Sequence, residues 1–253
     1  MSELKVISVQ SFRQGTGRST LTVNIAAWMV ENGYRVGLVD ADFYSPSLHI
    51  FLGAHVHIQR TLNDYLWGLC EIGQAVYTVQ GVSTAAQENL FFLPASAKPQ
   101  DMMRMLRDTY HTNLLTAGLQ AFTKTFDLDV LLIDNHAGLS DDALLMMAIS
   151  DVVLVMLRPD AQHYDGTNLM LTIAKKLQVP RTLLAVNELS SIFSPEIVQK
   201  EVSTAFGCEV AAVLPHSAPM AALGSEQIIS WQAPEQPIAQ LYKGLAQKLL
   251  QHG

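Results

Sequence analysis

Short apolar runs recur along the chain, and most are followed by segments whose apolar residues return every three or four positions. Lys5 to Val9, Val36 to Val39, Leu90 to Leu93, Val130 to Ile133, Val152 to Leu157, Thr182 to Val186 and Val210 to Leu214 read as strands. They are mostly apolar rather than alternating, the pattern of strands covered on both faces. Helical periodicity follows at Ser19 to Asn32, where Leu21, Ile25 and Trp28 or Met29 share a face and Gly33 closes the segment. It returns from Gln100 to about Lys124 as one long helix, then from Ser140 to Ile149, His163 to Leu177, Pro195 to Phe206 and Pro237 to Gln251. Residues 53–90 are less patterned, although Thr61 caps a short helix through Asp64, Tyr65, Leu66 and Trp67. Strand then helix, repeated, predicts an α/β fold with a mostly parallel central sheet and helices on both faces. No repeat or linker interrupts it, so residues 1–253 read as a single domain.

In such sheets ligands gather beyond the carboxyl ends of the strands. Gly15, Asp40, Asp42, Asp134, Asn187 and Pro215 all follow predicted strands. The stretch Ser11-Phe12-Arg13-Gln14-Gly15-Thr16-Gly17-Arg18-Ser19-Thr20 joins the first strand to the first helix. A glycine-rich loop there aims backbone N–H groups and the positive helix end at an anion. A Walker A loop reads G-x-x-x-x-G-K-[ST], and here Phe12 stands at the first glycine and Arg18 at the lysine. A nucleoside triphosphate needs backbone donors, a cation at its phosphates and oxygen ligands for Mg²⁺. Gly15 through Ser19 supply donors, Arg18 the cation and Ser19 a metal-facing hydroxyl. Asp134 ends an apolar strand as a Walker B aspartate does, and Gly138 is placed to sense the γ-phosphate. Of Asp40 and Asp42, one can serve the metal shell while the other orients a water; the alternative is a turn or helix cap.

Composition narrows the function. Charged residues are only 15% of the chain, against roughly 25% for an average soluble protein. The apolar surplus fits a doubly covered sheet, with a subunit interface as a second outlet. A net charge of −7 argues against a dominant non-specific nucleic-acid binder. Cys70 and Cys208 form no metal-spaced pair and read as reduced thiols of a cytoplasmic protein. The first residues carry no secretory pattern, and no apolar run approaches the ~20 residues of a membrane span. His55 and His57 alternate, but no further ligand can be placed beside them. His136 lies in the loop after Asp134, where it faces nucleotide or partner, or serves as an ordinary loop histidine.

The loop, Val39-Asp40-Ala41-Asp42, Leu132-Ile133-Asp134-Asn135-His136-Ala137-Gly138, Arg158-Pro159-Asp160, Val186-Asn187 and Val213-Leu214-Pro215 together give a resemblance over nearly the whole chain. The chain resembles the MinD/ParA family of deviant Walker ATPases, and within it the MinD-like branch. The resemblance implies ATP or ADP with Mg²⁺ as cofactors, and an ATP-dependent homodimer that positions a protein partner or cargo. The family loop reads K-G-G-x-G-K-[ST], and its early lysine reaches the phosphates of the other subunit. Carried over, that role falls on Arg13, water positioning on Asp42 and adenine reading on Asn187. Gln14, Gly15, Thr16, Gly17, Arg18, Ser19, Thr20 and Pro215 would line the nucleotide, and Ser19, Asp40 and Asp134 the metal.

This chain departs from the pattern. Both loop lysines are arginines, and Gln14 replaces a glycine. Arginine is a larger, planar fork, so the exchange is not conservative in a tight cradle. A trans Arg13 acting as an arginine finger is worth ~10³–10⁵ in rate where that device operates. The expectation is ATP binding with weak hydrolysis, catalytic roles falling on Asp42, Arg13 and Arg18; the alternative is a hydrolysis-dead adaptor of the same fold. Iron–sulfur carriers of the superfamily need a cysteine pattern that Cys70 and Cys208 do not supply, and tyrosine autokinases need a terminal tyrosine cluster where this chain has only Tyr242. Family members place division machinery, DNA, flagella, pili or large cargo. For DNA the chain offers Lys175, Lys176 and Arg181; for a membrane, the stripe Ile238, Leu241, Leu245, Leu249 and Leu250, which fits packing on the sheet better.

Overall fold

The computed structural model describes residues 4–53, 57–79, 83–107, 110 and 112–251. His55 therefore lies outside the described residues. Among the described residues, eight strands form one sheet: β1 (Lys5–Gln10), β2 (Val36–Ala41), β3 (Tyr77–Thr78), β4 (Leu90–Leu93), β5 (Val130–Asn135), β6 (Val152–Leu157), β7 (Arg181–Leu189) and β8 (Val210–Pro215). Their order is β3-β4-β2-β5-β1-β6-β7-β8. All pairings are parallel except β3 with β4, an antiparallel edge.

Apolar strands are what this sheet needs, because both faces are buried. Val36 and Leu38 of β2 join a cluster with Leu21, Ile25 and Met29 of the first helix (Arg18–Glu31). Val39 and Ala41 turn to the other face, against Phe122 and Met146. The alternation is the two-residue period of a strand. The last helix (Pro237–Leu250) lies beside the first and buries Ile238, Tyr242, Leu245 and Leu249 in the same cluster. That stripe is core, as its packing on the sheet required, and only Leu241 among its large residues is exposed.

Two expectations change. The segment expected as one helix from Gln100 to Lys124 forms two, Pro99–Arg107 and Thr112–Thr125. Between them Tyr110, a described residue, is outside any helix, and tyrosine is not a strong helix former. The basic group offered to DNA also loses a member. Arg181 donates from Nη1 to the carbonyls of Lys248 (2.9 Å) and Gln251 (3.1 Å), closing the carboxyl end of the last helix. Its Nη2 lies 3.6 Å from Glu209, leaving exposed Lys175 and Lys176 in the last turn of their helix. The capped helix at Thr61 is present as Leu62–Leu66, with Thr61 and Asp64 forming a capping box. Among the described residues, no helix is long and apolar enough to cross a membrane.

Candidate nucleotide site

The sheet order puts β1 between β5 and β6, so the loop leaving β1 sits at the centre of the carboxyl edge. In that loop Gly15 and Gly17 have φ of 75° and 86°, a region that favours glycine. Gly17 starts the first helix without any side-chain cap, and no acidic residue occupies the first turn. The leading N–H groups of a helix are normally satisfied by a cap, water or ligand. Here the helix end is open to an anion. Gly17 is also tied to its surroundings, since a Cβ there would lie 2.4 Å from Asn187 Nδ2. Asn187 Nδ2 donates to the Thr16 carbonyl at 2.8 Å, so β7 fixes the loop from the far side. Phe12, in place of the loop's first glycine, packs onto Gly166 of the helix Ala161–Lys176, where a Cβ would collide with its ring.

Arg18 is the loop's internal brace. It is only 8% exposed. Nε donates to the Asn135 carbonyl at 2.7 Å, and Nη1 donates to Ser11 Oγ and to the Arg13 carbonyl. Nη2 lies 3.5 Å from Asp42 Oδ2. One guanidinium thus joins the loop, β5 and the residue following β2. Arg13 lies at the surface, its Nε donating to the Gln162 carbonyl at 2.7 Å. Gln14 is exposed beside it.

The three aspartates differ in their bonds. Asp40 and Asp134 are register partners on adjacent strands, and both are buried. Asp40 accepts backbone N–H bonds from Asp42 (3.1 Å), Ser47 (3.0 Å) and Leu48 (3.1 Å), so both its oxygens hold the turn into the helix Leu48–Leu52. Burial, followed by the Asp134 charge, pushes its carboxyl well above the ordinary range. Asp42 Oδ1 accepts from the Tyr44 and Ser45 amides, while Oδ2 faces Arg18. Asp134 keeps an unpaired buried oxygen, Oδ1. Burial pushes its carboxyl up to about 7, against the opposing pull of the Arg18 charge and a Ser19 hydrogen bond.

A buried polar atom without a partner is costly and uncommon in a native protein. Asp134 Oδ1, Thr16 Oγ1, Gln10 Oε1, Asn135 Oδ1 and His136 Nδ1 are all in that condition, and all belong to the loop or to its flanking strand ends. The set fits Mg²⁺ with a phosphate ligand: Ser19 and Asp134 would hold the ion, which supplies charge neutralisation at the phosphates. Among the described residues no group of three or more His, Cys, Asp or Glu forms a metal cage. An ion taking most of its ligands from phosphate and water needs none. The Gly138 amide, placed by the sequence near the γ-phosphate, donates to the Ser11 carbonyl at 2.9 Å and ties the β5 loop to the phosphate loop.

Beside Gly17 and Thr20 opens a cavity of about 200 Å³, lined also by Asn187, Pro215, Met220 and Tyr242. The fold brings Asn187 and Pro215 to it as the sequence predicts. Glu188, Ser217, Met220 and Tyr242 also line it, and the sequence pattern does not place them at the site. The one local signal was Ser217-Ala218-Pro219 after β8, which caps the short helix Ala218–Ala222. Glu188 has φ of 58° beside a register shift in β7, a bulge that apolar patterning does not announce.

The Asp134 shift carries a pH prediction. An acid with a folded pKa of about 7 against a reference of 3.8 binds its proton more tightly when folded. Its contribution therefore favours the folded state at low pH and declines as pH rises from about 4 through about 7. Ligand-free protein should lose thermal stability over that interval. The Mg·ATP-induced increment should grow over the same interval, because an Mg²⁺ ligand must be ionised. Thermal melts between about pH 5 and 8, with and without Mg·ATP, check both trends.

Comparison with known proteins bears on the family and the fold. The family description "ParA: NUBPL iron-transfer P-loop NTPase" matches residues 3–250. An uncharacterised ATP-binding protein of Methanocaldococcus jannaschii is 26% identical over 96% of this chain and 87% of its own. The septum site-determining protein MinD of Helicobacter pylori is 28% identical over 76% of this chain and 68% of its own. Among solved structures, MinD of Pyrococcus horikoshii complexed with Mg-ADP superposes with a TM-score of 0.83, at 23% identity over 98% of this chain and 97% of that one. The match spans almost every described residue, and the chain belongs to the ParA family of P-loop NTPases, with MinD proteins among its relatives.

Proposed function

We propose that the protein is an ATP-binding switch of the MinD/ParA kind, which dimerises on Mg·ATP, positions a partner or cargo, and is reset by slow hydrolysis. The observation carrying this reading is the unpaired, buried Asp134 oxygen beside Ser19, at the mouth of an uncapped helix and a two-glycine loop. The base would enter the cavity beside Asn187 and Pro215, with the phosphates over Gly15 to Thr20. Arg13 is on the surface, its Nε donating to one backbone carbonyl among the described residues, and would reach a second subunit when that bond breaks. The Pyrococcus MinD with Mg-ADP, the Aquifex aeolicus MinC:MinD complex and the Pseudomonas aeruginosa antiactivator FleN support the nucleotide and the partner-directed role.

One observation favours the alternative, a hydrolysis-dead adaptor. Asp42, the water-positioning residue by resemblance, has its carboxylate committed to two backbone amides and to Arg18. Mass measurement with ADP and with Mg·ATP, with phosphate release recorded on the same samples, separates the two. A switch doubles its mass on Mg·ATP and releases phosphate slowly. An adaptor shows neither change.

Iron transfer, known in the matching family, has little to attach to in this chain. Cys70 packs with the cluster around Phe122, and Cys208 with the cluster around Met170 on the far half of the sheet. Burial pushes the Cys208 thiol up to about 11, away from the thiolate a metal needs.

A further inference from the structure

His136 lies between β5 and the helix Asp141–Ala148 and is 8% exposed. Its Nδ1 is buried without a hydrogen-bond partner. The ring is held in place. Tyr44 meets it edge-on, with centroids 5.3 Å apart and planes at 88°. Tyr44 belongs to the turn that Asp42 closes by accepting the Tyr44 and Ser45 amides. Asp42 and His136 are therefore joined through one tyrosine, and the charges of Asp42, Asp142 and Arg18 all act on the imidazole.

An apolar side chain could fill this space without leaving a polar atom unsatisfied. An imidazole nitrogen there is left with a hydrogen bond to make. The loop already carries donors for phosphate oxygens in its backbone and Arg18. Of the unpaired acceptors at this edge, Asp134 Oδ1 is assigned to the metal, and His136 Nδ1 is the one linked to Asp42 through Tyr44. We propose that His136 Nδ1 accepts a hydrogen bond from the attacking water, which makes His136 a catalytic residue for ATP hydrolysis. This rests on the nucleotide reading above. In the step, the water oxygen forms a bond to the γ-phosphorus as the bond to the β,γ-bridging oxygen breaks. ADP leaves with that electron pair, and the water's proton passes to the phosphate product. His136 orients the water and keeps its own protonation state.

The test compares wild type, His136→Phe and His136→Asn by calorimetric titration with Mg·ATP and by single-turnover phosphate release. Phenylalanine fills the space without an acceptor; asparagine restores a polar atom near the Nδ1 position. The expected result is about a tenfold or greater loss of rate in His136→Phe, ATP affinity within about threefold, and recovery of most of the rate in His136→Asn. Should the phenylalanine variant fail to fold, His136→Ala, which adds no bulk, takes its place. The proposal is overturned by unchanged turnover in the apolar variant, by an asparagine variant just as slow, or by affinity falling in step with rate. Wild-type protein that binds ATP without turning it over overturns the role of His136 and leaves the nucleotide site standing. Wild-type protein that binds no ATP overturns the reading beneath it.

Discussion

Gly17→Ala is expected to cost the protein about tenfold to a hundredfold in ATP affinity, or about 1.4–2.8 kcal/mol. Two effects act at one atom. Gly17 has φ of 86°, a backbone region that costs an L-residue about 1–2 kcal/mol. The new Cβ would also stand 2.4 Å from Asn187 Nδ2, so the amide must leave the Thr16 carbonyl it holds at 2.8 Å. The loop loses its anchor to β7, and the cavity loses the placement of the residue expected to read adenine. Titration with Mg·ATP measures the affinity, and a urea melt reads the accompanying loss of stability. Gly15→Ala is the matched comparison: it has φ of 75° but open space around a Cβ, so it carries strain without collision. Equal effects of the two variants would remove the Asn187 contact from the account.

Arg18→Ala is expected to destabilise the fold itself, by about 3 kcal/mol, besides weakening ATP binding. The size follows from burial: the Arg18 and Asp42 side chains are 8% and 12% exposed and meet at 3.5 Å. Removing the cation strands Asp42 and the carbonyls of Asn135 and Arg13. Arg18→Ala with Asp42→Ala should lose less than the sum of the single variants, because the double variant leaves no unpaired charge. Chemical denaturation of all four proteins gives the coupling, and strict additivity would show that the pair holds nothing together. Arg18→Lys is informative beside it. Lysine keeps the charge, but a single ammonium cannot reproduce the three-sided fork to Asn135, Ser11 and Asp42. The lysine variant should therefore be less stable than wild type, although the family loop carries lysine there.

The layered architecture was legible because apolar strands and periodic helices both reflect a sheet buried on its two faces. The site edge was legible for the same reason: strand order places residues that follow strands side by side, which brought Gly15, Asp40, Asp42, Asp134, Asn187 and Pro215 together. Less could be read where an element is short or its bonds run through the backbone. β3 has two residues, and the helix Ala218–Ala222 has five, too few to show a period. Asp40 illustrates the second limit. Its position suggested a metal shell or a cap, and only coordinates reveal three backbone amides on its carboxylate. Arg18 illustrates a third. Substitution of a lysine reads as a defect in sequence, whereas the structure gives the larger side chain its own acceptors in Ser11, Asn135 and Asp42.

The most direct measurement is calorimetric titration of the protein with Mg·ATP, repeated on Asp134→Asn and repeated for wild type in EDTA. A nucleotide site built on Gly17, Ser19 and Asp134 predicts one ATP per chain in wild type, with affinity lost in the variant and in the chelated sample. No heat of binding in wild type, or equal affinity with and without Mg²⁺ and in Asp134→Asn, would contradict it.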